Sequence, residues 1–345
     1  MARPLLAVDR AFARADAVLR EACGKQFTGA VARIEQAGKL RFERAYGVTR
    51  LDSRGRAVAV DTLFDLASIT KPFVTTLALR AVAEGRIDLD GSLTHVFPEW
   101  SGRPQAAITL RMLLSHTSGM NSGADYRELL DHNVVQFSLE RELAAVPGER
   151  VIYSDLGFIA VGELLQRLAH RSLRALARPA IFAPPARMRD GIPATEDDGW
   201  RGRVQGVVHD EKAYLMGGTA GHAGLFGSAS DVARLAEQYL PARAGQHKLL
   251  PPELAREAIS EQAFDPVLRR GLGWALKTTD ENSCGRYLSR ETFGHTGFVG
   301  TCVWADPERD CSGVLLTNAV YFGRNDTRDL RAAFYEAMVE DLGMR

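Results

Sequence analysis

Residues 28–49, TGAVARIEQAGKLRFERAYGVT, decide the fold. Apolar and polar residues alternate on either side of Gln36-Ala37-Gly38-Lys39, the pattern of two half-buried strands joined by a tight turn. The stretch is an antiparallel hairpin near the N-terminus. Before it, Leu5, Val8, Phe12, Ala15, Val18 and Leu19 recur at helical spacing over 5–22. After it, a short strand is expected near Ala57–Val60. Strands then return only towards the other end, at 271–277, 291–296, 299–305 and 311–318, followed by an amphipathic helix over 327–342.

Between these ends the pattern is helical from 68 to 190. Helices are expected over 69–84, 109–115, 138–145, 156–170 and 172–178, punctuated by Gly85, Asp90-Gly91, Pro98, Ser118-Gly119 and Pro147-Gly148. Residues 182–203 are rich in Pro, Gly and charge and read as a long surface loop. Residues 214–227 are glycine-rich, and a helix follows over 231–239 with Ser228 or Ser230 as its N-cap. The expected fold class is α+β. One antiparallel sheet, built from 1–67 and 204–345, is flanked by N- and C-terminal helices, and an all-helical subdomain, 68–203, is inserted into it.

The totals narrow the function. The chain has 345 residues, 43 basic and 43 acidic, so its formal net charge is zero. A neutral total argues against a nucleic-acid partner or an anionic membrane surface. No stretch approaches the roughly 20 apolar residues of a membrane span. The N-terminal apolar run is broken by Asp9, short of the roughly 7–15 residues of a signal peptide, so a cytoplasmic location is expected. Cys23, Cys284, Cys302 and Cys311 lack C-x-x-C spacing and read as reduced core or surface thiols. Only six of the 43 basic residues are lysine, at 25, 39, 71, 212, 248 and 277. Arginine stays protonated at any working pH, so a proton-accepting amine is one of these six or the N-terminus.

One of the six stands out. DLASITKPF places Ser68 three residues before Lys71, on one face of a helix start. Serine needs a base to become a nucleophile, and a helix N-terminus disfavours a nearby cation, which lowers a lysine pKa. By spacing alone a capping serine and a solvated lysine are the favoured explanation of the pair. Two further segments change that. GERVIYSDLGFIAVGELLQR places Tyr153-Ser154-Asp155 at a helix start, and ETFGHTGFVGTCVW places His295-Thr296-Gly297 at a strand end.

The order S-x-x-K, Y-S-D, H-T-G resembles the serine β-lactamase and penicillin-binding-protein superfamily, in its class C-type branch with esterases and D-amino-acid peptidases. The resemblance extends through LLSHTSGM (113–120), GGTAGHAGLFGSASDVARLA (217–236) and WADPERDCSGVLLTN (304–318). It implies Ser68 as nucleophile and Lys71 with Tyr153 as the proton movers. It implies an oxyanion hole from the backbone N–H groups of Ser68 and Phe298, each donor worth roughly 3–4 kcal/mol. His116 is expected to shape the cleft floor, and Asn318 to reach the substrate. No metal or cofactor is implied.

The sequence departs from the family pattern twice. Asp155 stands where many relatives have Asn, and a carboxylate beside Lys71 favours the ammonium, shifting proton transfer towards Tyr153. His295 replaces the lysine of K-T-G, so a fixed cation becomes a conditional one. This favours an ester or amide substrate with no obligatory carboxylate. His209, Asp210, His222 and His116 match no metal-ligand spacing and read as loop or core residues, with His209 and His222 near the pocket. The expected activity is that of a serine hydrolase on a small ester, amide or peptide, such as cell-wall-derived fragments. A β-lactamase or D-alanyl-D-alanine carboxypeptidase is the alternative. A non-catalytic binding domain on the same scaffold is a third reading, opposed by the joint presence of Ser68, Lys71 and Tyr153.

Overall fold

The computed structural model describes residues 11–123, 125–178, 181–241, 249–267 and 269–345. Helix α1 (Ala13–Ala22) leads into β1 (Gly29–Gln36) and β2 (Lys39–Gly47). Leu5 and Val8 of the expected first helix lie outside the described residues. The turn of the hairpin falls at Ala37 and Gly38, both with positive φ, the hand that matches strand twist in two-residue loops. No strand forms near Ala57; it makes a single bridge to Val48.

After β3 (Phe64–Asp65) come six helices: α2 (Thr70–Ala83), α3 (Leu110–Leu114), α4 (Tyr126–Leu129), α5 (Val134–Glu140), α6 (Asp155–Ala169) and α7 (Leu173–Leu176). The helix expected over 138–145 starts earlier. Asn133 caps it by accepting from Gln136 N–H, a start signal that the charged run after Ser138 obscures. Residues 182–203 are not a loop throughout. Beyond β4 (Ile181–Phe182) and a 3₁₀ turn, β5 (Ala194–Asp198) and β6 (Gly202–Gln205) form a second hairpin, with Ile192, Ala194 and Thr195 buried. Strands β4 and β5 thus interrupt the stretch 68–203 that was expected to be wholly helical. Next come α8 (Glu211–Leu215), β7 (Leu225–Gly227) and α9 (Ala229–Glu237), the last capped by Ser228 in a capping box with Asp231. Then follow α10 (Pro252–Ala258), β8 (Arg269–Arg270), β9 (Ala275–Leu276), β10 (Phe293–Thr296), β11 (Cys302–Asp306), β12 (Cys311–Thr317) and α11 (Arg328–Asp341).

The main sheet runs β2-β1-β12-β11-β10-β9-β8 and is antiparallel throughout. Its two ends of chain meet at its centre, where Ala30 faces Thr317 and Gln36 faces Cys311. Alternation sorts each strand between two cores. Ala30, Ala32 and Ile34 of β1, with Cys302 and Trp304 of β11 and Leu315 of β12, pack under α1 and α11 beside Leu19, Phe334 and Met338. Val31, Val303, Val314 and Leu316 point to the other face, against Val232 and Ala236 of α9 and the helices α2 and α6. Both faces are covered, so β1 is almost wholly buried, while the edge strand β2 buries only Phe42 and Tyr46.

A small second sheet, β3-β7-β4, links the two regions. Strand β3 runs straight into the 3₁₀ turn Ala67–Ile69 and then α2, which places Ser68 where the large core and the sheet meet.

Candidate active site

The turn carrying Ser68 is held by a buried carboxylate. Asp65 Oδ1 accepts from Ala67 N–H at 2.8 Å, and its Oδ2 accepts from His209 N–H at 2.7 Å. Burial pushes the Asp65 carboxyl upward, opposed by these two donors. They fix Ala67 at a φ of +46°, a conformation that costs a non-glycine residue roughly 1–2 kcal/mol. The strained turn lifts Ser68 out of line and leaves its N–H in a first turn, where a backbone donor has no intrahelical acceptor. Asp65 was not singled out from sequence; its signal was an Asp two residues before the turn, an Asx-type spacing.

Lys71, in the first turn of α2, is wholly buried. Its Nζ donates to Ser68 Oγ at 3.2 Å, to Asp155 Oδ1 at 2.9 Å and to the His222 carbonyl at 3.4 Å. It also lies 4.8 Å from the centre of the Tyr153 ring and 5.7 Å from that of Phe158. Burial alone pushes the amine down, as does the helix N-terminus. The Asp155 carboxylate, with a further contribution from Tyr153, outweighs burial, and the net direction is up. Lys71 is therefore an ammonium in the resting site, and the expected lowering by the helix start does not prevail.

The Tyr153-Ser154-Asp155 segment is clamped from behind. Ser154 caps α6 through Gly157 N–H, and His116 Nδ1 accepts from Ser154 N–H at 3.0 Å. Ser122 Oγ donates to the Tyr153 carbonyl and accepts from Asp155 N–H. The His116 ring lies 4.6 Å from that of Tyr153, and burial keeps it neutral. His116 thus backs the tyrosine. Burial pushes the Asp155 carboxyl up, but Lys71, His222 and Lys212 together pull it down.

His295 and Thr296 end β10, and Gly297 follows. A Cβ on Gly297 would overlap Thr301 Oγ1 and come within 2.7 Å of the Leu66 carbonyl, so only glycine lets this strand end lie against the Ser68 turn. The Gly297 carbonyl is fixed by Arg331 at 2.7 Å, and its N–H by the Thr301 carbonyl at 2.8 Å. Phe298 N–H follows immediately and finds no protein acceptor among the described residues. The Phe298 side chain is exposed and stacks on His209.

His295 is not a conditional cation. Its Nδ1 donates to the Thr296 carbonyl at 2.9 Å, and burial with nearby Lys71 pushes it down to about 3. It is neutral at pH 7. The permanent cation of this corner is Arg270, on β8, which sequence reasoning missed because nothing local sets it apart from its neighbours. Its guanidinium is buried 5.3 Å from the Tyr153 ring centre, where burial opposes its charge and the Asp265 carboxylate favours it. Asn318 is placed elsewhere. It is buried, its Oδ1 accepting from Thr28 and Gly29 N–H and its Nδ2 donating to Thr28 Oγ1 and the Ala194 carbonyl. That fully bonded side chain ties β12 to β1 and β5 and has no donor or acceptor left over for a substrate.

Asp210 and His222, far from Asp155 in sequence, come together beside it. The three residues offer ligand atoms within 4.8 Å of one another. The Lys212 ammonium lies 3.3 Å from Asp155 and 3.8 Å from Asp210, so a lysine already supplies positive charge to both carboxylates. His209 pairs instead with Glu196. The glycine-rich segment packs backbone to backbone: a Cβ on Gly221 would overlap the Phe158 carbonyl on α6. The thiols are inert, with burial pushing Cys284 and Cys311 up to about 12.

Residues 8–337 match the Beta-lactamase family profile. The chain belongs to the beta-lactamase family. As a member of it, the protein is a serine hydrolase. It is 32% identical to esterase EstB of Burkholderia gladioli, across 94% of this chain and 95% of that one. It is 28% identical to an N-acetylmuramyl-L-alanine amidase of Bacillus subtilis strain 168, across 88% of this chain and 80% of that one. Among solved structures, EstCE1, described as a hydrolase with promiscuous acyltransferase activity, superposes with a TM-score of 0.73 at 21% identity, covering 95% and 99% of the two chains. Among the described residues no helix is long and apolar enough to cross a membrane.

Proposed function

We propose that the protein hydrolyses an ester or amide through an acyl-enzyme on Ser68. The observation that carries this reading is the contact of Ser68 Oγ with a Lys71 ammonium that also touches Asp155 and lies against the Tyr153 ring.

For Ser68 to attack, the Lys71–Tyr153 pair must be one proton short. Asp155 keeps the remaining proton on Lys71, so Tyr153 is the partner that receives the Ser68 proton. Lys71 and Arg270 lie on that ring and supply the positive charge it needs. As Ser68 Oγ bonds to the carbonyl carbon, its proton moves to Tyr153. The oxyanion is received by the N–H groups of Ser68 and Phe298. Tyr153 then delivers the proton to the leaving oxygen or nitrogen as that bond breaks. In the second half, water gives a proton to Tyr153 and attacks the acyl carbon. The proton returns to Ser68 Oγ as the acyl bond breaks.

A cleft of about 770 Å³ is lined by Asp125, Tyr126, Asp198, Trp200, Glu211 and Arg324, and none of Ser68, Lys71 and Tyr153 lines it. Arg324 lies over the Phe298 ring at 5.8 Å. That volume is in the range of roughly 300–1,000 Å³ typical of ligand pockets. Arg324 is the link between this cleft and Phe298, so the cleft offers room for the part of a substrate that extends past the Phe298 ring. With His295 neutral, no fixed cation stands at the K-T-G position, which favours an ester or amide lacking an obligatory carboxylate there. The names of the relatives, an esterase and an amidase, point the same way.

The test is a fluorophosphonate mass shift on Ser68, absent in Ser68→Ala. It is run beside turnover of short-chain esters, a cephalosporin, D-Ala-D-Ala peptides and muramoyl peptides. Folded wild-type protein that takes no label refutes the reading.

A further inference from the structure

Behind the nucleophile the structure closes a ring of charge. Lys71 Nζ touches Asp155 Oδ1, and the other oxygen of that carboxylate, Oδ2, faces Lys212 Nζ at 3.3 Å. Lys212 reaches Asp210 Oδ2 at 3.8 Å, and Asp210 Oδ1 lies 2.7 Å from His222 Nε2. The carbonyl of His222 returns to Lys71. Two ammonium groups and two carboxylates alternate, drawn from three different parts of the chain.

Lys212 touches neither Ser68 nor the oxyanion donors, yet it is largely buried, which is costly for a lysine without purpose. We propose that Lys212 is a positioning residue that sets the proton affinity of the Lys71–Tyr153 pair by sharing Asp155. The inference rests on the serine-hydrolase reading and deepens it.

The physical argument concerns one carboxylate between two cations. If Lys71 alone faced Asp155, its ammonium would hold the whole of that negative charge and the ring would carry an unbalanced carboxylate at Asp210. With Lys212 present, Asp155 is divided between two amines, and Lys212 also repels Lys71 directly. Both effects weaken the hold on the proton. Asp155 alone would otherwise lock the pair in a state that cannot accept a proton from Ser68.

The other groups facing the pair do not replace Lys212. His116 and His295 are kept neutral by burial. Arg270 lies on the Tyr153 ring and does not touch Asp155. Asp210 is anchored at the start of α8, where it accepts from Ala213 N–H at 2.8 Å, so it holds Lys212 in place from behind.

The sign follows whichever member of the pair takes the proton. Removing a cation favours the protonated state, and removing a carboxylate disfavours it. The experiment measures the pH dependence of kcat/KM on a p-nitrophenyl ester, with fluorophosphonate labelling of Ser68 as an independent check on the site. In Lys212→Met the ascending limb moves to higher pH by about one unit or more, roughly a tenfold loss on the limb that is recovered at alkaline pH. Lys212→Arg returns the limb towards wild type. Asp210→Asn keeps the helix cap but removes a carboxylate, and moves the limb to lower pH. This second variant tests the role of the ring even if Lys212→Met does not fold. Limbs that stay in place, or a loss equal at all pH values without rescue by arginine, overturn the inference and leave Lys212 a packing residue. Absence of Ser68 labelling in wild type is a separate result that overturns the hydrolase reading itself.

Discussion

The contact between Lys71 and Asp155 makes a quantitative demand on the substitution Asp155→Asn. The amide keeps the shape of the side chain and loses its charge. Two unit charges about 3–4 Å apart attract by on the order of 5 kcal/mol at an effective dielectric constant near 20. Taking an ammonium out of water costs several kcal/mol. In the wild type the attraction exceeds the burial cost and the Lys71 pKa is raised. Without the carboxylate only Tyr153 opposes the burial cost, and the direction reverses. The variant therefore holds Lys71 as a free amine that can take the Ser68 proton directly.

Two assays check this. The first is stability against pH. In wild type the raised amine stabilises the fold fully below the unfolded lysine value, near 10.4, and this contribution is lost as pH rises through the higher folded value. In Asp155→Asn the sign inverts: the buried amine must lose its proton to fold, so Tm rises with pH between roughly 7 and 10. At the acid end, Asp155 has a depressed pKa, so wild type loses its contribution as pH falls below about 4 towards the folded value, and the variant does not. The second assay is kcat/KM on a p-nitrophenyl ester, which is preserved or raised in the variant. A variant that stays folded but loses activity, with a Tm that does not climb with pH, contradicts this account and shows that the carboxylate itself takes part.

Gly297→Ala forces the end of β10 away from Leu66 and displaces the Phe298 donor, so kcat should fall on the order of 10²–10³-fold with a smaller change in KM. Asp65→Ala leaves two buried N–H groups without an acceptor and releases the strained Ala67; unfolding by urea should show a loss of about 2–5 kcal/mol. His295→Lys puts an ammonium beside Lys71 and Arg270, which should lower Tm and shift preference towards substrates bearing a carboxylate; an unchanged pH profile and substrate preference would show that His295 does not set specificity.

The sequence carries the elements whose signals are local. The hairpin at 28–49 shows its alternation and its Ala37-Gly38 turn, and the helix at Asp155 shows its serine cap. The motifs around Ser68, Tyr153 and His295 are short enough to recognise and stand in the order of the family's arrangement. What escaped is tertiary. Arg270 is an ordinary member of an Arg-Arg pair until folding places it against Tyr153. Lys212 is one of six lysines until Asp155 and Asp210 meet around it. The second hairpin, β5-β6, hides in a run of Pro, Gly and charge because its strands are short and half exposed. Asn318 looked like a substrate contact because it follows a strand near the site. Its amide serves the backbone of Thr28 instead, a partner no reading of LLTN could name.

The pairing of β1 with β12 also governs how the enzyme comes into being. Asn318 bonds to Thr28, 290 residues away, and β1 finds its central partner only at the far end of the chain. Contacts of such sequence separation are slow to form, because a long loop must close before any of them is rewarded. On the ribosome, β1 and β2 emerge early as a lone hairpin, while β10 to β12 come out last. The Ser68 turn and the helices behind it can assemble in the meantime, but the turn that bears Phe298, between β10 and β11, is among the last pieces delivered. The nascent chain therefore acquires the proposed nucleophile and its own N–H long before the second proposed oxyanion donor, at Phe298. A half-made protein is catalytically silent, and the appearance of activity during synthesis is a clock for closure of the sheet.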